Sequence, residues 1–219
     1  MRGPAVRVTR WVVERFFPWL YTRGAWAYDM VAWLVSGGRW TRWVQAAAAR
    51  VPPDARVLEL GSGPGHALAF WARRGQRAWG VDASPVMVRR AAARVRRHGG
   101  TPQVVLARGQ ALPWPANSVD WVLATFPAPY IAEARTASEV ARVLRPGGHV
   151  LMLLSAQSGL LRLWERLVRW AWRMDGLAPA EARYLARCYR RAGLEAQAVR
   201  EPLPDGSPAL WLRGRKPAA

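Results

Sequence analysis

Three glycines at alternating positions follow a short apolar stretch. Gly61, Gly63 and Gly65 come directly after Val57–Leu60 in VLELGSGPGHALAF, and a helix-forming stretch comes after them. A strand that runs into a glycine loop and then a helix is typical of phosphate and nucleotide sites, because bare backbone lets a ligand approach the amides at the helix start. The stretch therefore predicts a site for a nucleotide-like group.

Two known glycine motifs do not fit this stretch. A phosphate-binding loop needs Gly-Lys-Ser/Thr, whereas Gly65 is followed by His66 and Ala67. A dinucleotide fingerprint, G-x-G-x-x-G, would need its last glycine at position 66, which is His66. The pattern that remains is G-x-G-x-G with Glu59 two residues before it.

The elements around the loop alternate between strands and helices. Ser84 followed by Pro85 is a typical helix start. Predicted strands cover 56–60, 78–81, 103–107, 119–125 and 149–154, and predicted helices cover 65–74, 85–97 and 131–144. This order predicts a parallel sheet covered on both faces. A helix over 179–192 then precedes two strands, 194–200 and 209–214, which are expected to form a terminal hairpin.

The first 50 residues have a different pattern. Their helical stretches are interrupted at Pro18, Gly24 and Gly37-Gly38, and Pro52-Pro53-Asp54 marks a boundary. We expect an N-terminal helical lobe over residues 1–50 that covers the active site. Residues 51–219 are expected to form one α/β domain with a lid helix over about 158–175.

Composition excludes several classes of protein. The 219 residues are 51% hydrophobic, enough for a large core, and the single cysteine, Cys188, rules out a disulfide framework. No metal site is expected. The N-terminus lacks a signal-peptide core, and no apolar run is long enough to span a bilayer. The expected location is the cytoplasm, with attachment to the inner membrane face as an option.

The charge leaves two interpretations open. A formal net charge of +19 favours nucleic acid or anionic lipid as a partner. However, Lys216 is the only lysine, and abundant Arg, Ala, Gly and Pro together are also the mark of a GC-rich genome. The 14 tryptophans are not explained by that bias.

Further motifs follow the glycine loop in a consistent order. They are Trp79-Gly80-Val81-Asp82, Ala111-Leu112-Pro113-Trp114, Val119-Asp120-Trp121-Val122 and Val143-Leu144-Arg145-Pro146-Gly147-Gly148. Over about residues 55–155 this series resembles the class I S-adenosylmethionine-dependent methyltransferases, most closely the subgroup that includes ubiquinone and menaquinone biosynthesis methyltransferases. The resemblance implies a Rossmann-like, mostly parallel sheet of seven strands with a reversed final strand, and S-adenosyl-L-methionine as the cofactor.

The resemblance also implies a set of cofactor-binding residues. Asp82 would accept hydrogen bonds from both ribose hydroxyls. The full set is Glu59, Gly61, Ser62, Gly63, Gly65, Asp82, Ala83, Met87, Gln110, Ala111, Thr125 and Phe126. One position departs from the subgroup pattern, because Arg108 stands where an acid usually accepts the adenine amino group, and arginine has no acceptor. The carbonyl of Gln110, or backbone groups with apolar contacts from Leu112, would then hold the adenine.

The segment after the fourth predicted strand reads Ala124-Thr125-Phe126-Pro127-Ala128-Pro129-Tyr130. Methyltransferases that act on nucleic-acid bases usually carry Asn/Asp-Pro-Pro-Tyr/Phe there, and Phe126 cannot accept a hydrogen bond from a target amine. We therefore expect Thr125, Phe126 and Tyr130 to line the acceptor side of the pocket. No clear general base is present, and the catalytic candidates are Tyr28, His66 and Tyr130.

Segments rich in arginine and tryptophan are expected to flank the pocket entrance. Four arginines, at 162, 166, 169 and 173, fall on one face of the expected lid helix, which is either a solvated face or a surface that rests on anionic lipid. The prediction is methyl transfer to a small lipophilic or lipid-like acceptor, with an anionic membrane surface as a further partner. The alternatives are an RNA methyltransferase and a non-catalytic, cofactor-binding, membrane-associated protein.

Overall fold

Residues 25–157 and 179–218 are described by a computed structural model of the chain. The helices are α1 (Ala25–Ser36), α2 (Trp40–Ala48), α3 (His66–Ala72), α4 (Pro85–Arg97), α5 (Ala134–Val143) and α6 (Pro179–Arg191). The strands are β1 (Val57–Leu60), β2 (Ala78–Asp82), β3 (Val104–Leu106), β4 (Val119–Thr125), β5 (Leu144–Ala156), β6 (Glu195–Arg200) and β7 (Ala209–Arg215). Residues 1–24 and the predicted lid helix lie outside the described residues.

All seven strands form one sheet with the order β3-β2-β1-β4-β5-β7-β6. Strands β1 to β5 pair in parallel, whereas β7 is antiparallel to both β5 and β6. The predicted Rossmann-like sheet and its terminal hairpin are confirmed. The strand order reverses between β1 and β4, and such a switch point opens a crevice at the carboxyl ends of the strands.

Helices cover the sheet on both faces. On one face α2, α3 and α4 pack over a core that includes Trp43, Trp71 and Trp211. On the other face α5 and α6 pack over a core that includes Tyr189 and Leu185. Strand β1 is buried along its whole length, as expected for a central parallel strand. The indole N–H of Trp71 donates to the Ala48 carbonyl over 3.1 Å, which ties α2 into this core. The predicted division at residue 50 stays a prediction.

Two boundaries differ from the sequence expectation. The helix expected over 131–144 is a 3₁₀ helix (Pro129–Ala132) followed by α5, because Glu133 between them has an extended backbone (φ −72°, ψ 138°). The Arg-Pro-Gly-Gly segment belongs to the start of β5 instead of a separate turn. Its Gly147 N–H donates to the Lys216 carbonyl over 2.9 Å, so the chain beyond β7 holds this segment in the sheet.

Asp120 at the start of β4 has a structural role. Its carboxylate accepts from the Arg56 backbone N–H over 2.7 Å and forms ion pairs with Arg56 and Arg145.

Among the residues that the structure describes, no helix combines the length and the apolar character needed to cross a membrane.

Candidate functional site

A pocket lies at the carboxyl ends of β1 and β4, where the strand order reverses. Residues of α2, β1, the loop that follows β1, and the end of β4 surround it. The lining residues are Trp40, Val44, Glu59, Gly61, Ser62, Gly63, Pro64, His66 and Thr125. The glycine motif therefore lies at the position where this type of sheet binds ligands.

The backbone of the glycine loop requires glycine for two different reasons. Gly61, Gly63 and Gly65 all have positive φ angles, of 71°, 50° and 81°, which L side chains rarely adopt. A Cβ on Gly65 would lie 2.7 Å from the Ala91 Cα, so glycine there lets α4 pack against the loop. A Cβ on Gly63 would meet no atom within 4 Å, so Gly63 faces open space. Gly65 thus serves packing, and Gly63 leaves room for a ligand.

Asp82 connects the glycine loop to the end of β2. Its Oδ2 accepts from the Gly63 N–H and its Oδ1 accepts from the Ser84 N–H, each over 2.8 Å. Burial raises the pKa of Asp82, and the two N–H donors only partly oppose that shift. The carboxylate therefore orders the loop at the position where the open Gly63 lies.

Glu59 is a buried carboxyl group at the pocket wall. It is 1% exposed, and its Oε2 has no hydrogen-bond partner among the described residues. Burial raises the pKa of Glu59 well above its ordinary value, the charge of Asp82 raises it further, and the Leu68 backbone N–H opposes the shift. The hydroxyl of Ser62 is also buried without a partner there. Such unsatisfied acceptors beside an open loop fit a ligand that carries hydrogen-bond donors.

An ion cluster holds α1 against the glycine loop. Asp29 of α1 lies 3.1 Å from His66 Nε2, and it accepts from Arg90 over 2.9 Å and from Arg94 over 2.8 Å. Arg94 also donates to the Pro64 carbonyl over 2.8 Å. Burial raises the pKa of Asp29, but hydrogen bonds and charge from His66 and Arg94 outweigh it, so that pKa lies well below its ordinary value. Asp29 therefore stays ionised at neutral pH.

One wall of the pocket is formed by Trp40 of α2, whose ring packs on Phe126. The rings of Trp40 and Phe126 stack with centroids 4.0 Å apart and 27° between their planes. Phe126 follows β4 directly and has a φ of 49°, a strained value for this residue type. Trp43 lies behind the stack, 6.2 Å from the Phe126 ring, and its indole N–H donates to Asp205 and Ser207. The loop between β6 and β7 therefore supports this wall.

Tyr130 lies against two glycines. Its hydroxyl is 2.5 Å from the position that a Cβ on Gly61 would occupy, and its ring edge is 2.9 Å from the corresponding point at Gly109. Any side chain at either glycine would displace the phenol. Tyr130 thus reaches the carboxyl end of β1 from the segment that follows β4.

A family profile described as a methyltransferase domain matches residues 57–148, which contain the glycine loop, Asp82, Phe126 and Tyr130. Residues 57–148 are a methyltransferase domain. This domain is of the class I, S-adenosyl-L-methionine-dependent type, and S-adenosyl-L-methionine is its cofactor.

Several mycobacterial proteins are similar to this chain in sequence. An uncharacterized methyltransferase of Mycolicibacterium vanbaalenii is 32% identical over 145 residues, which cover 66% of this chain and 51% of that protein. One from Mycobacterium tuberculosis is 41% identical over 112 residues, covering 49% of this chain and 41% of its own. The chain thus spans about half or less of the length of these curated relatives.

Solved structures share the fold of this chain. A provisionally named S-adenosyl-L-methionine-dependent methyltransferase of Methanococcus maripaludis superposes with a TM-score of 0.67 at 15% identity, covering 91% of this chain and 94% of its own. A geranyl diphosphate methyltransferase superposes with a TM-score of 0.56 at 15% identity, covering 80% and 76%. At these identities the likeness establishes the fold alone.

The residues of the methyltransferase domain fit this cofactor. The ammonium and hydroxyl groups of S-adenosyl-L-methionine are hydrogen-bond donors. The unsatisfied acceptors on Glu59 and Ser62 line the pocket beside the open Gly63. Gln110 donates its amide N–H to Glu133 over 2.9 Å, so its carbonyl oxygen is the group left to accept. The use of these residues by the cofactor stays a prediction.

The remaining predicted site residues differ in exposure and in the element that carries them. Met87 is fully buried, whereas Ala83 is exposed at the start of α4 and Ala111 is exposed in a bridge with Arg108. Tyr28 lies in α1 next to Asp29. Trp40 and Val44 were not predicted as pocket residues. The seven-residue spacing of Trp19, Trp26, Trp33 and Trp40 was the available signal, but the spacing alone does not identify which ring faces the pocket.

Proposed function

We propose that the chain transfers a methyl group from S-adenosyl-L-methionine to a small lipophilic acceptor. The observation that carries this proposal is Trp40, which lines the pocket with the glycine loop and stacks on Phe126. Phe126 occupies the position after β4 at which an amide or acid would be needed to hold a base amine, and its ring can only offer an apolar contact. An apolar wall favours an acceptor with apolar surface.

The chain has three tasks in this reaction. When bound, the cofactor supplies an electrophilic methyl group on a sulfonium. Glu59, Asp82 and the glycine loop would hold it, and the aromatic pair would orient the acceptor and exclude water. Tyr130 is the catalytic candidate with a hydroxyl beside the loop. His66 is less suited to proton transfer, because its Nε2 is already engaged by Asp29 and Arg94.

The acceptor class can be narrowed within this proposal. The subgroup resemblance points to quinone-like acceptors with an isoprenoid tail. The geranyl diphosphate methyltransferase, a structural neighbour solved in complex with geranyl diphosphate, supports an isoprenoid acceptor. In this proposal the protein is cytoplasmic and meets its isoprenoid acceptor at the inner face of the membrane.

The test is transfer of radiolabelled methyl groups from S-adenosyl-L-methionine into a bacterial lipid extract and, in parallel, into total RNA. We expect label in the lipid fraction. Label found in RNA alone, or no turnover despite calorimetric binding of the cofactor, would overturn the proposal.

A matched variant makes this experiment sharper. Phe126→Asn replaces the ring by an amide at a backbone position (φ 49°) that asparagine adopts more readily. We expect lipid methylation to fall by about tenfold, since a stacked aromatic contact contributes roughly 0.5–1.5 kcal/mol beyond burial. Cofactor binding should be retained. Equal lipid methylation by the variant and the wild type would remove the aromatic wall from the proposal.

A further inference from the structure

Helix α1 has two unlike faces. Asp29, Ala32 and Ser36 face the protein: Asp29 joins the ion cluster on the glycine loop, and Ala32 and Ser36 are 6% and 1% exposed. On another side, Met30, Trp33 and Leu34 are 52%, 61% and 47% exposed. Positions i, i+3 and i+4 lie together on a helix surface, so these three side chains form one apolar patch, called the α1 patch below.

The α1 patch stands out among the described residues. Among these described residues, six large hydrophobic side chains are strongly exposed, and three of the six form the α1 patch. The other three are Val105 and Leu106 on the edge strand β3, and Tyr184 on α6. Grouped exposed apolar side chains mark a surface that binds another molecule or a membrane, whereas scattered ones need no explanation.

Trp33 is held in place although it is exposed. Its indole Nε1 lies 2.9 Å from the point that a Cβ on Gly38 would occupy, so the ring packs over that glycine. Gly38 has a φ of 79°, and its N–H donates to the Trp33 carbonyl over 2.8 Å. A ring that is already ordered loses little conformational freedom when it meets a partner.

The helix that carries the α1 patch also contacts two residues of the pocket. On the inner side of the same helix, Asp29 contacts His66, which lines the pocket. The Ser36 hydroxyl accepts from the backbone N–H of Trp40, the aromatic pocket residue, over 2.9 Å. A surface bound to the α1 patch would therefore lie close to the route by which an acceptor enters.

The charge of the chain favours an anionic surface as the partner. The chain carries 33 Lys and Arg residues against 14 Asp and Glu residues, and exposed Arg42 lies on α2 between the pocket residues Trp40 and Val44. We propose that the α1 patch docks the protein on an anionic lipid bilayer, with Trp33 at the headgroup level. This inference rests on the proposed function, because a lipophilic acceptor would be taken from that bilayer.

The experiment is co-sedimentation of the full chain with vesicles of phosphatidylcholine alone and with vesicles of equal parts phosphatidylcholine and phosphatidylglycerol. We expect binding to the anionic vesicles that weakens with added salt. The triple variant Met30→Ser, Trp33→Ser, Leu34→Ser should bind these vesicles at least about tenfold more weakly than the wild type, because the apolar contact with the bilayer is lost. The matched control, Val105→Ser with Leu106→Ser, removes exposed apolar surface elsewhere and should bind within about twofold of the wild type.

Three outcomes would overturn the inference. They are no binding of the wild type to anionic vesicles, equal binding by the triple variant, and a dimer of the wild type that the triple variant abolishes, which would make the α1 patch a contact between two copies. Calorimetric binding of S-adenosylhomocysteine by both variants confirms that they are folded. Methyl transfer into a detergent-solubilised lipid extract separates the two proposals. A triple variant that keeps this transfer but loses vesicle binding supports docking alone, and vesicle binding without any transfer contradicts only the proposed function.

Discussion

The proposed cofactor end of the pocket, at the glycine loop, is polar and built largely from backbone, whereas the proposed acceptor end, at Trp40 and Phe126, is aromatic and built from side chains. At the cofactor end, Asp82 fixes the loop through the Gly63 and Ser84 amides, and Glu59 presents an unsatisfied carboxyl oxygen. At the acceptor end, Trp40 and Phe126 stack with no hydrogen bond between their rings.

The two ends also differ in how far apart their parts lie in the sequence. The cofactor end is contained in residues 57–84. The acceptor end joins Trp40 to Phe126, and Trp43 behind them is held by Asp205 and Ser207. Changes at the cofactor end should therefore act locally and strongly on cofactor binding. Changes at the acceptor end should leave cofactor binding intact and act on the acceptor.

The largest effect is expected within the glycine loop itself. Gly65→Ala should lower the free energy of unfolding by about 2–4 kcal/mol, because its Cβ would collide with the Ala91 backbone in addition to the left-handed strain. Gly63→Ala should cost only about 1–2 kcal/mol, the strain alone, while it weakens S-adenosylhomocysteine binding. Denaturant unfolding and calorimetry measure both quantities. Equal stability losses in the two variants would contradict the division of roles between these glycines.

Asp82→Ala should weaken cofactor binding by roughly 10- to 100-fold, since it removes a charged acceptor and leaves two loop amides without a partner. The matched change at the acceptor end is Asp205→Ala, which removes an acceptor from Trp43 and the Ser207 N–H. Isothermal titration with S-adenosylhomocysteine should show little change for Asp205→Ala. Similar losses in the two variants would mean that the two ends are not independent.

Trp40→Ala should raise the KM for the acceptor by about tenfold with little change in kcat, because a stacked ring that binds the acceptor contributes uniformly to ground and transition states. Trp40→Phe keeps a ring against Phe126 and should change KM by only about twofold. Initial-rate kinetics at saturating cofactor give both numbers. A drop in cofactor affinity for Trp40→Ala would place this residue at the cofactor end instead.

The smallest effect concerns pH and the buried carboxyl at the cofactor end. The pKa of Glu59 is raised on folding, so the folded state holds its proton more tightly. Its contribution to stability is fully present below the unfolded pKa and is lost as the pH rises through the folded pKa. Glu59→Gln does not titrate, so its free energy of unfolding should increase relative to the wild type as the pH rises above about 4.5.

Glu139 supplies the opposite case for the same measurement. Hydrogen bonds from Arg142 are the main cause that lowers the pKa of Glu139. Burial opposes this shift, and the Leu112 N–H lowers the pKa further. Glu139→Gln should therefore lose stability relative to the wild type above the unfolded pKa, and this difference should shrink as the pH falls. Thermal unfolding of the apo protein, at about 2–4 °C per kcal/mol for a chain of this size, resolves both trends. A Glu59→Gln difference that is flat with pH would contradict the raised pKa.

The amino-acid sequence by itself determined the sheet, the glycine loop and Asp82, because strand patterns, positive-φ glycines and helix starts depend on neighbours within a few residues. The Ser84-Pro85 start of α4 and the terminal hairpin were predicted for the same reason. Only the tertiary structure decided that Trp40 lines the pocket, that Asp29 meets His66, Arg90 and Arg94, and that Asp205 supports Trp43. These contacts join residues tens to more than a hundred positions apart, so they depend on how helices pack on the sheet, and no local spacing specifies that packing.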